Sequence, residues 1–457
     1  LPPDLSSLTE GKAGFFIMGS TRTGGRGLSR LRGVAAGAAL LVAAPTIAAC
    51  GSESGTEINV YLSPEQNFQT VVDRCNEQAD GRYKIVYNKL PRDADGQREQ
   101  MVRRLAAGDT GLDVLGLDVT WVPEFAEAKW LAEFTGENKS DAEQGVLKGP
   151  LETAKWNGKL YGATKNTNVQ LLWYDDRITQ TPPETWSDMM EMSRQLKSEG
   201  KPYRILFTGA QYEGLVVQYN TLVASAGGEI LSKDGKQVVM DQGAVEALQT
   251  LKDVSTSGLT DPSMPNAQEQ QVQQAFEAPD SQAAFELNWP YVYAAIQAAN
   301  PERAKHLKWA RYPGINGPSK ATIGGFNLAV SALSENKPEA FDAVQCLRSP
   351  ESQKFQAICD GVPPTIESIY SDEAPIEPCP AATTADKPTM ATAYPMKETI
   401  LEALKDPAVR PLTVVYQNLS TITSKVLSPP ADIDPQGTAD DLRDGLQKAL
   451  ESKGVLP

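Results

Sequence analysis

The chain has 457 residues, with 43 Lys+Arg against 58 Asp+Glu, a formal charge of −15 and an apolar content of 40% that supports packed domains over disorder. That length suits two or three globular lobes, and the acid excess speaks against nucleic acid, whose phosphates need a basic footprint. The single histidine, His306, excludes most zinc sites and Ser-His or Cys-His relays, each of which needs an imidazole in a set partnership.

Residues 18–50 read as a bacterial export signal. Arg22, Arg26, Arg30 and Arg32 form its basic region, and 34–49 is an apolar run interrupted by Pro45. As a helix that run spans about 24 Å, short of the roughly 30 Å hydrocarbon core, so a cleaved signal fits better than a membrane span. It ends Ile47-Ala48-Ala49-Cys50-Gly51, which resembles the lipobox of secreted bacterial lipoproteins. The resemblance implies a diacylglyceryl thioether on Cys50, cleavage before it, and a lipid-anchored protein on the extracytoplasmic face of the cell membrane. Residues 1–17 precede the expected start Met18 and read as a mis-assigned extension. Export makes Cys75, Cys346, Cys359 and Cys379 an even set in an oxidising compartment, which favours disulfides over free thiols or metal and leaves three pairings open.

From Glu57 the pattern alternates strand and helix. A strand is expected at 58–62, then a helix capped by Ser63-Pro64-Glu65-Gln66, with Phe68, Val71, Val72, Cys75 and Ala79 on its buried face. Further strands are expected at 83–90 and 112–119, with helices at 97–107 and around 123–130. This order implies a parallel sheet covered on both faces, with ligands at the carboxyl ends of its strands. Asn157-Gly158 marks a hairpin. Beyond it come a strand at 169–174, a helix from Thr185-Trp186, a strand and helix within 201–230, and a helix at 244–257. Strands at 283–289 and 321–330 follow, then a helix at 337–355. The Pro-, Ala- and Thr-rich stretch 371–395 reads as a surface loop, and helices at 412–426 and 438–451 close the chain. Asp93-Ala94-Asp95-Gly96 has the flavour of a calcium loop but lacks the later ligands.

Several of these segments, in this order, resemble the extracellular solute-binding proteins of sugar ABC importers, the maltose-binding-protein-like family. They are the lipobox, WNGKLYG at 156–162 leading into NVQLLWY at 168–174, PETW at 183–186, Gly227-Gly228, FELNWP at 285–290, GGFNLAV at 324–330 and GVPP at 361–364. LDVTWVPEFAEA, NTLVASAGG, ELNWPYV and AVRPLTVVYQNLS are similar to the trehalose-binding lipoproteins within that family. The resemblance implies an α/β fold of two lobes with a hinge and a ligand cleft between them. One lobe would hold 57–164 and 326–361, the other 169–322 and 365–457, with crossings near 165–168, 323–325 and 362–364. It also implies the pairings Cys75–Cys346 and Cys359–Cys379, because the helix bearing Cys346 returns to the first lobe.

A pyranose has hydroxyls at its rim and C–H groups on its faces, so a site needs paired donors and acceptors around an aromatic plane. In the family pattern the first lobe offers Glu65, Gln66, Asn67, Gln97, Asp118 and, at the crossing, Asn168. The second offers Glu213, Asn288, Trp289 as stacking platform, Tyr291 and Arg410 with its rigid donor fork. The competing structural roles are a core position for Trp289, a helix cap for Asp118, backbone satisfaction for Asn168 and an ion pair for Arg410. The implied function is capture of a disaccharide, trehalose above others, by a monomeric receptor. Closure about the hinge would precede delivery to an ABC permease with transmembrane subunits and a cytoplasmic ATPase. This reading calls for no cofactor, metal, nucleic acid or catalytic residue. The alternative is an exported glycoside hydrolase, which needs only a carboxylate pair.

Overall fold

The computed structural model describes residues 55–232, 235–380 and 386–452; the export signal and Cys50 lie outside them. Its strands are β1 (Thr56–Leu62), β2 (Tyr83–Lys89), β3 (Val114–Asp118), β4 (Lys155–Trp156), β5 (Lys159–Leu160), β6 (Ala163–Asn168), β7 (Leu171–Asp175), β8 (Arg204–Leu206), β9 (Ala283–Asn288), β10 (Leu307–Arg311) and β11 (Gly324–Val330). They build two main sheets, ordered β2-β1-β3-β11-β6 and β10-β7-β9-β8, and the small hairpin β4-β5.

In β1 the alternate residues Ile58, Val60 and Leu62 are buried, while β9 is buried along its whole length, as expected of a strand covered on both faces. The helix Phe68–Ala79 packs the predicted stripe, Phe68 to Ala79, against the first sheet, and Cys75 on that stripe is bonded to Cys346 on the helix Lys337–Leu347. The second disulfide joins Cys359 to Cys379, so both implied pairings are present. At the hairpin, Asn157 and Gly158 both take positive φ, 48° and 77°, which is the two-residue turn their sequence specifies. Among the described residues no helix is long and apolar enough to cross a membrane.

Several expectations need correction. The sheets are mixed: β1, β2 and β3 are parallel, but β11 enters antiparallel between β3 and β6 after the chain returns from the second sheet. The segments expected as crossings at 165–168 and 323–325 are largely the paired ends of β6 and β11, with Asn168 opposite Gly324. The chain leaves the first sheet for the second through 169–170, after β6, and returns through 312–323, before β11. Ser63 to Gln66 do not cap a helix; Asn67 occupies the N-cap, and no side chain bonds the helix end. The loop is held instead by long-range bonds, which Glu65 accepts from Lys165 and Gln356 and Asn67 donates to Asp360. The helix expected at 337–355 is two helices, Lys337–Leu347 and Pro350–Asp360, because Ser349 caps a new start at Pro350. The stretch 371–395 ends in a short helix, Met390–Ala393, a further helix Lys397–Lys405 follows it, and the last two helices are Tyr416–Leu427 and Pro435–Leu450. Asp93 caps the helix Ala94–Ala106 by accepting from the Gly96 amide at 2.7 Å.

Candidate functional site

The carboxyl ends of β1, β2, β3 and β6 and the start of β11 share one edge of the first sheet, as their pairing requires. The ends of β8 and β9 share an edge of the second. A cleft of about 850 Å³ lies between these two edges. From the first sheet it is lined by Glu65, Gln66, Lys89, Arg92, Gln97, Asp118, Asn166, Asn168 and Gly324–Phe326. The other side contributes Tyr212, Glu213, Gln268–Gln271, Trp289, Tyr291 and Arg410.

Trp289 follows β9, and its indole lies over the start of β11. A Cβ added to Gly324 would stand 3.1 Å from the ring, and one on Gly325 would meet the Asn166 carbonyl at 2.2 Å. The glycine pair is thus required by close approach, of the ring on one side and of β6 on the other. Asn288 does not reach the cleft. It is fully buried, accepting from the Trp289 amide at 2.8 Å and donating to the Glu286 carboxyl at 2.8 Å and the Glu269 carbonyl at 3.0 Å. It holds Trp289 from behind.

Arg410 bridges the two sides. Its Nη1 donates to Glu213 at 2.6 Å, and its Nη2 lies 3.0 Å from Asp118 at the end of β3. Glu213 opens the helix Glu213–Ser225 and also accepts from Tyr416 at 2.6 Å and from Ser420. Burial raises the Glu213 carboxyl above its ordinary range, opposed by the Arg410 charge; burial also acts to lower the Arg410 guanidinium, but Asp118 and its other partners outweigh this and raise it. Asp118 further accepts from the amide and hydroxyl of Thr120 at 2.9 and 2.8 Å, which fixes its direction. A second cluster sits by the loop after β1. Lys165, wholly buried on β6, donates to both Glu65 oxygens at 2.9 and 2.8 Å, and Gln356 donates to Glu65 at 2.6 Å. Asn67 is turned away from the cleft and donates to Asp360 at 2.7 Å.

Of the residues singled out in the sequence, Glu65, Gln66, Gln97, Asp118, Asn168, Glu213, Trp289, Tyr291 and Arg410 line the cleft, whereas Asn67 and Asn288 stand behind it. Lys165, Asp360, Asn166, Tyr212 and the row Gln268, Gln270, Gln271 were not singled out. Lys165 carried a signal, a lone cation among Thr and Asn in an expected crossing; the glutamines carried none, since polar residues at a helix start are ordinary. Oxygens of Gln97, Asn166 and Asn168 are buried here without donors, so the first wall presents acceptor capacity suited to a ligand rich in hydroxyls.

Beneath Trp289, Glu286 is fully buried with one oxygen lacking a partner, and burial pushes its carboxyl up to about 8. Between the ordinary carboxyl range and that value the native state holds a proton the unfolded chain has lost. Native stability therefore falls as pH rises, by about 1.4 kcal/mol per pH unit from this group. Glu286→Gln removes the titration, so in urea denaturation the variant is expected to gain on the unaltered protein between about pH 5.5 and 7.5. A difference that does not change with pH would show that Glu286 is ionised throughout.

The chain matches the bacterial extracellular solute-binding protein family over residues 63–354. It is 29% identical over 329 residues to a probable ABC transporter-binding protein of Deinococcus radiodurans, spanning 67% of this chain and 76% of that one. A diacetylchitobiose binding protein of Streptomyces coelicolor is 26% identical over 295 residues, 60% of this chain and 66% of the other. Among solved structures, maltose-bound MalE3 of T. maritima superposes with a TM-score of 0.76 at 23% identity, covering 86% of this chain and 99% of that chain. A cyclic alpha-maltosyl-1,6-maltose binding protein from Arthrobacter globiformis gives 0.69 at 19% identity, covering 87% and 100%. The structural likeness establishes the fold: two α/β lobes, each with its own mixed sheet.

Proposed function

The chain belongs to the bacterial extracellular solute-binding protein family, and from that membership we propose that it is the sugar receptor of an ABC importer, capturing a disaccharide, trehalose first among candidates. The observation that carries the sugar reading is Trp289, whose ring lies against Gly324, lining one cleft together with Asp118, Arg410, Asn168 and Gln97. A pyranose face stacks on the indole while its hydroxyls meet carboxylate, guanidinium and carboxamide groups. Hydrogen-bonding groups come from both lobes, so a bound sugar stabilises closure by bridging them, and the permease reads the closed form. Lobe boundaries follow the sheets, with the hinge at 169–170, 312–323 and 362–364. Anchoring through a lipid on Cys50 holds the receptor at the extracytoplasmic membrane face. The relatives' printed ligands, maltose, diacetylchitobiose and a cyclic maltosyl-maltose, support a saccharide of two or more units.

Calorimetry against trehalose, maltose and sucrose tests this. Equimolar binding with the sugar recovered unchanged is expected; free glucose would favour the hydrolase alternative, and no binding of any of them would remove the sugar reading. Trp289→Ala is expected to weaken the affinity at least tenfold, about 1.4 kcal/mol, with the fold intact. An unchanged affinity would mean the pocket is elsewhere.

A further inference from the structure

Asp360 ends the helix Pro350–Asp360, directly before the segment 362–364. That segment is tied to β6 by the Thr167 amide donating to the Pro363 carbonyl at 3.0 Å. The Asp360 side chain is almost fully buried at the wall of the cleft. One of its oxygens accepts from Asn67 at 2.7 Å, and the other is buried with no donor. Three features act against ionisation: the missing donor, the Glu65 carboxylate close by, and the negative end of its own helix. We propose that Asp360 is a positioning residue that must hold its proton for the cleft to close on ligand, so that capture takes up a proton at this residue.

The physical basis is a competition for water. An ionised Asp360 has one oxygen that only solvent can satisfy, and it repels Glu65 across the same corner, so ionisation favours a wetter, more open cleft. A ligand filling the cleft expels that water and extends the burial that already disfavours the charge. The titratable groups facing this corner are Glu65 on the loop after β1, Lys165 on β6 and Tyr87 on β2, whose hydroxyl donates to the Ser63 carbonyl at 2.5 Å. The start of the helix Tyr291–Ala299 brings only the Tyr291 backbone close to Gly361, and the Tyr291 hydroxyl is turned instead to Asn288 and the Glu269 carbonyl. Lys165 and Gln356 donate to the Glu65 carboxyl, whereas one oxygen of Asp360 has no donor. Burial, and then the Glu65 charge, bring its carboxyl up to about 7, so the free receptor is poised to titrate near neutrality.

The inference rests on the sugar reading. Its test is calorimetry of the unaltered protein with trehalose, or with maltose or sucrose should either bind better, at pH 7 in two buffers of different ionisation heat. Uptake of about half a proton is expected, with affinity falling several-fold, up to about tenfold, from pH 6 to 8. In Asp360→Asn the amide oxygen keeps the bond from Asn67 and the amide nitrogen stands in for the protonated oxygen. That variant is expected to bind as tightly as the unaltered protein does at pH 6, without pH dependence and without proton uptake. Heats that do not depend on buffer, proton release, or a pH dependence surviving in Asp360→Asn would each overturn the assignment while leaving the receptor reading in place. Failure of all three sugars to bind would overturn both.

Discussion

Replacing Arg410 by Met is expected to destabilise the protein by about 3–5 kcal/mol and to abolish saccharide binding. The guanidinium is nearly inaccessible and carries two charge-assisted contacts, to Glu213 at 2.6 Å and Asp118 at 3.0 Å. Met fills similar space but leaves two carboxylates facing each other with no counter-charge, and it is that uncompensated charge, more than the lost attraction, that costs stability. Three consequences separate this from a simple packing defect. The deficit should shrink as pH is lowered, because Glu213, already raised by burial and then deprived of Arg410, takes up a proton in the variant's native state. Arg410→Met combined with Glu213→Gln should recover part of the loss, since one stranded charge goes with it. Arg410→Lys should fall between, because an ammonium cannot present a planar fork to both acids at once. Urea denaturation at several pH values measures all three; a deficit below about 1 kcal/mol that ignores pH would mean the network behaves as a solvated rim.

The second large effect is expected at the bond between Cys75 and Cys346. It joins residues 271 apart in sequence, fastening the helix that follows β1 to the helix that follows β11. Cross-linking so long a loop removes conformational entropy from the unfolded chain, and the double change Cys75→Ser with Cys346→Ser is expected to cost about 5 kcal/mol. Cys359 and Cys379 close a loop only 20 residues long, so removing that bond should cost less, about 3 kcal/mol. Urea midpoints of the two double variants, with and without reductant, give the order directly. Equal losses, or a larger loss at the short loop, would show that native contacts rather than chain entropy set the stabilisation.

Much of the architecture could be read along the chain because it rests on short-range chemistry. The period of Phe68, Val71, Val72, Cys75 and Ala79 declares a helix with one buried face, and Asn157-Gly158 declares a turn, each within a dozen residues. The aromatic-polar cluster Asn288, Trp289 and Tyr291 at a strand end was likewise visible, although its members divide into a ring that faces the cleft and an amide that supports it from behind. Reading by local pattern failed where a partner far along the chain overrides it. Ser63 to Gln66 spell a helix cap, yet Glu65 is claimed by Lys165 and Gln356, 100 and 291 residues away, and Asn67 by Asp360, 293 away. The antiparallel entry of β11 between β3 and β6 has no local signature either, because it records where the returning strand finds unpaired edges.

By itself the sequence determined the strand and helix alternation that builds the first sheet, the turn at Asn157-Gly158, and which side chains have the chemistry to meet a polyhydroxylated ligand, since these depend on periodicity and residue type. Only the tertiary structure decided which of those side chains share a cleft, that Arg410 joins Asp118 to Glu213 across it, and that Asp360 is left with an unsatisfied oxygen at its wall. The reason is that burial and counter-charge are set by neighbours hundreds of residues away, and a carboxyl group carries no mark in the chain of how much water its final position will allow it.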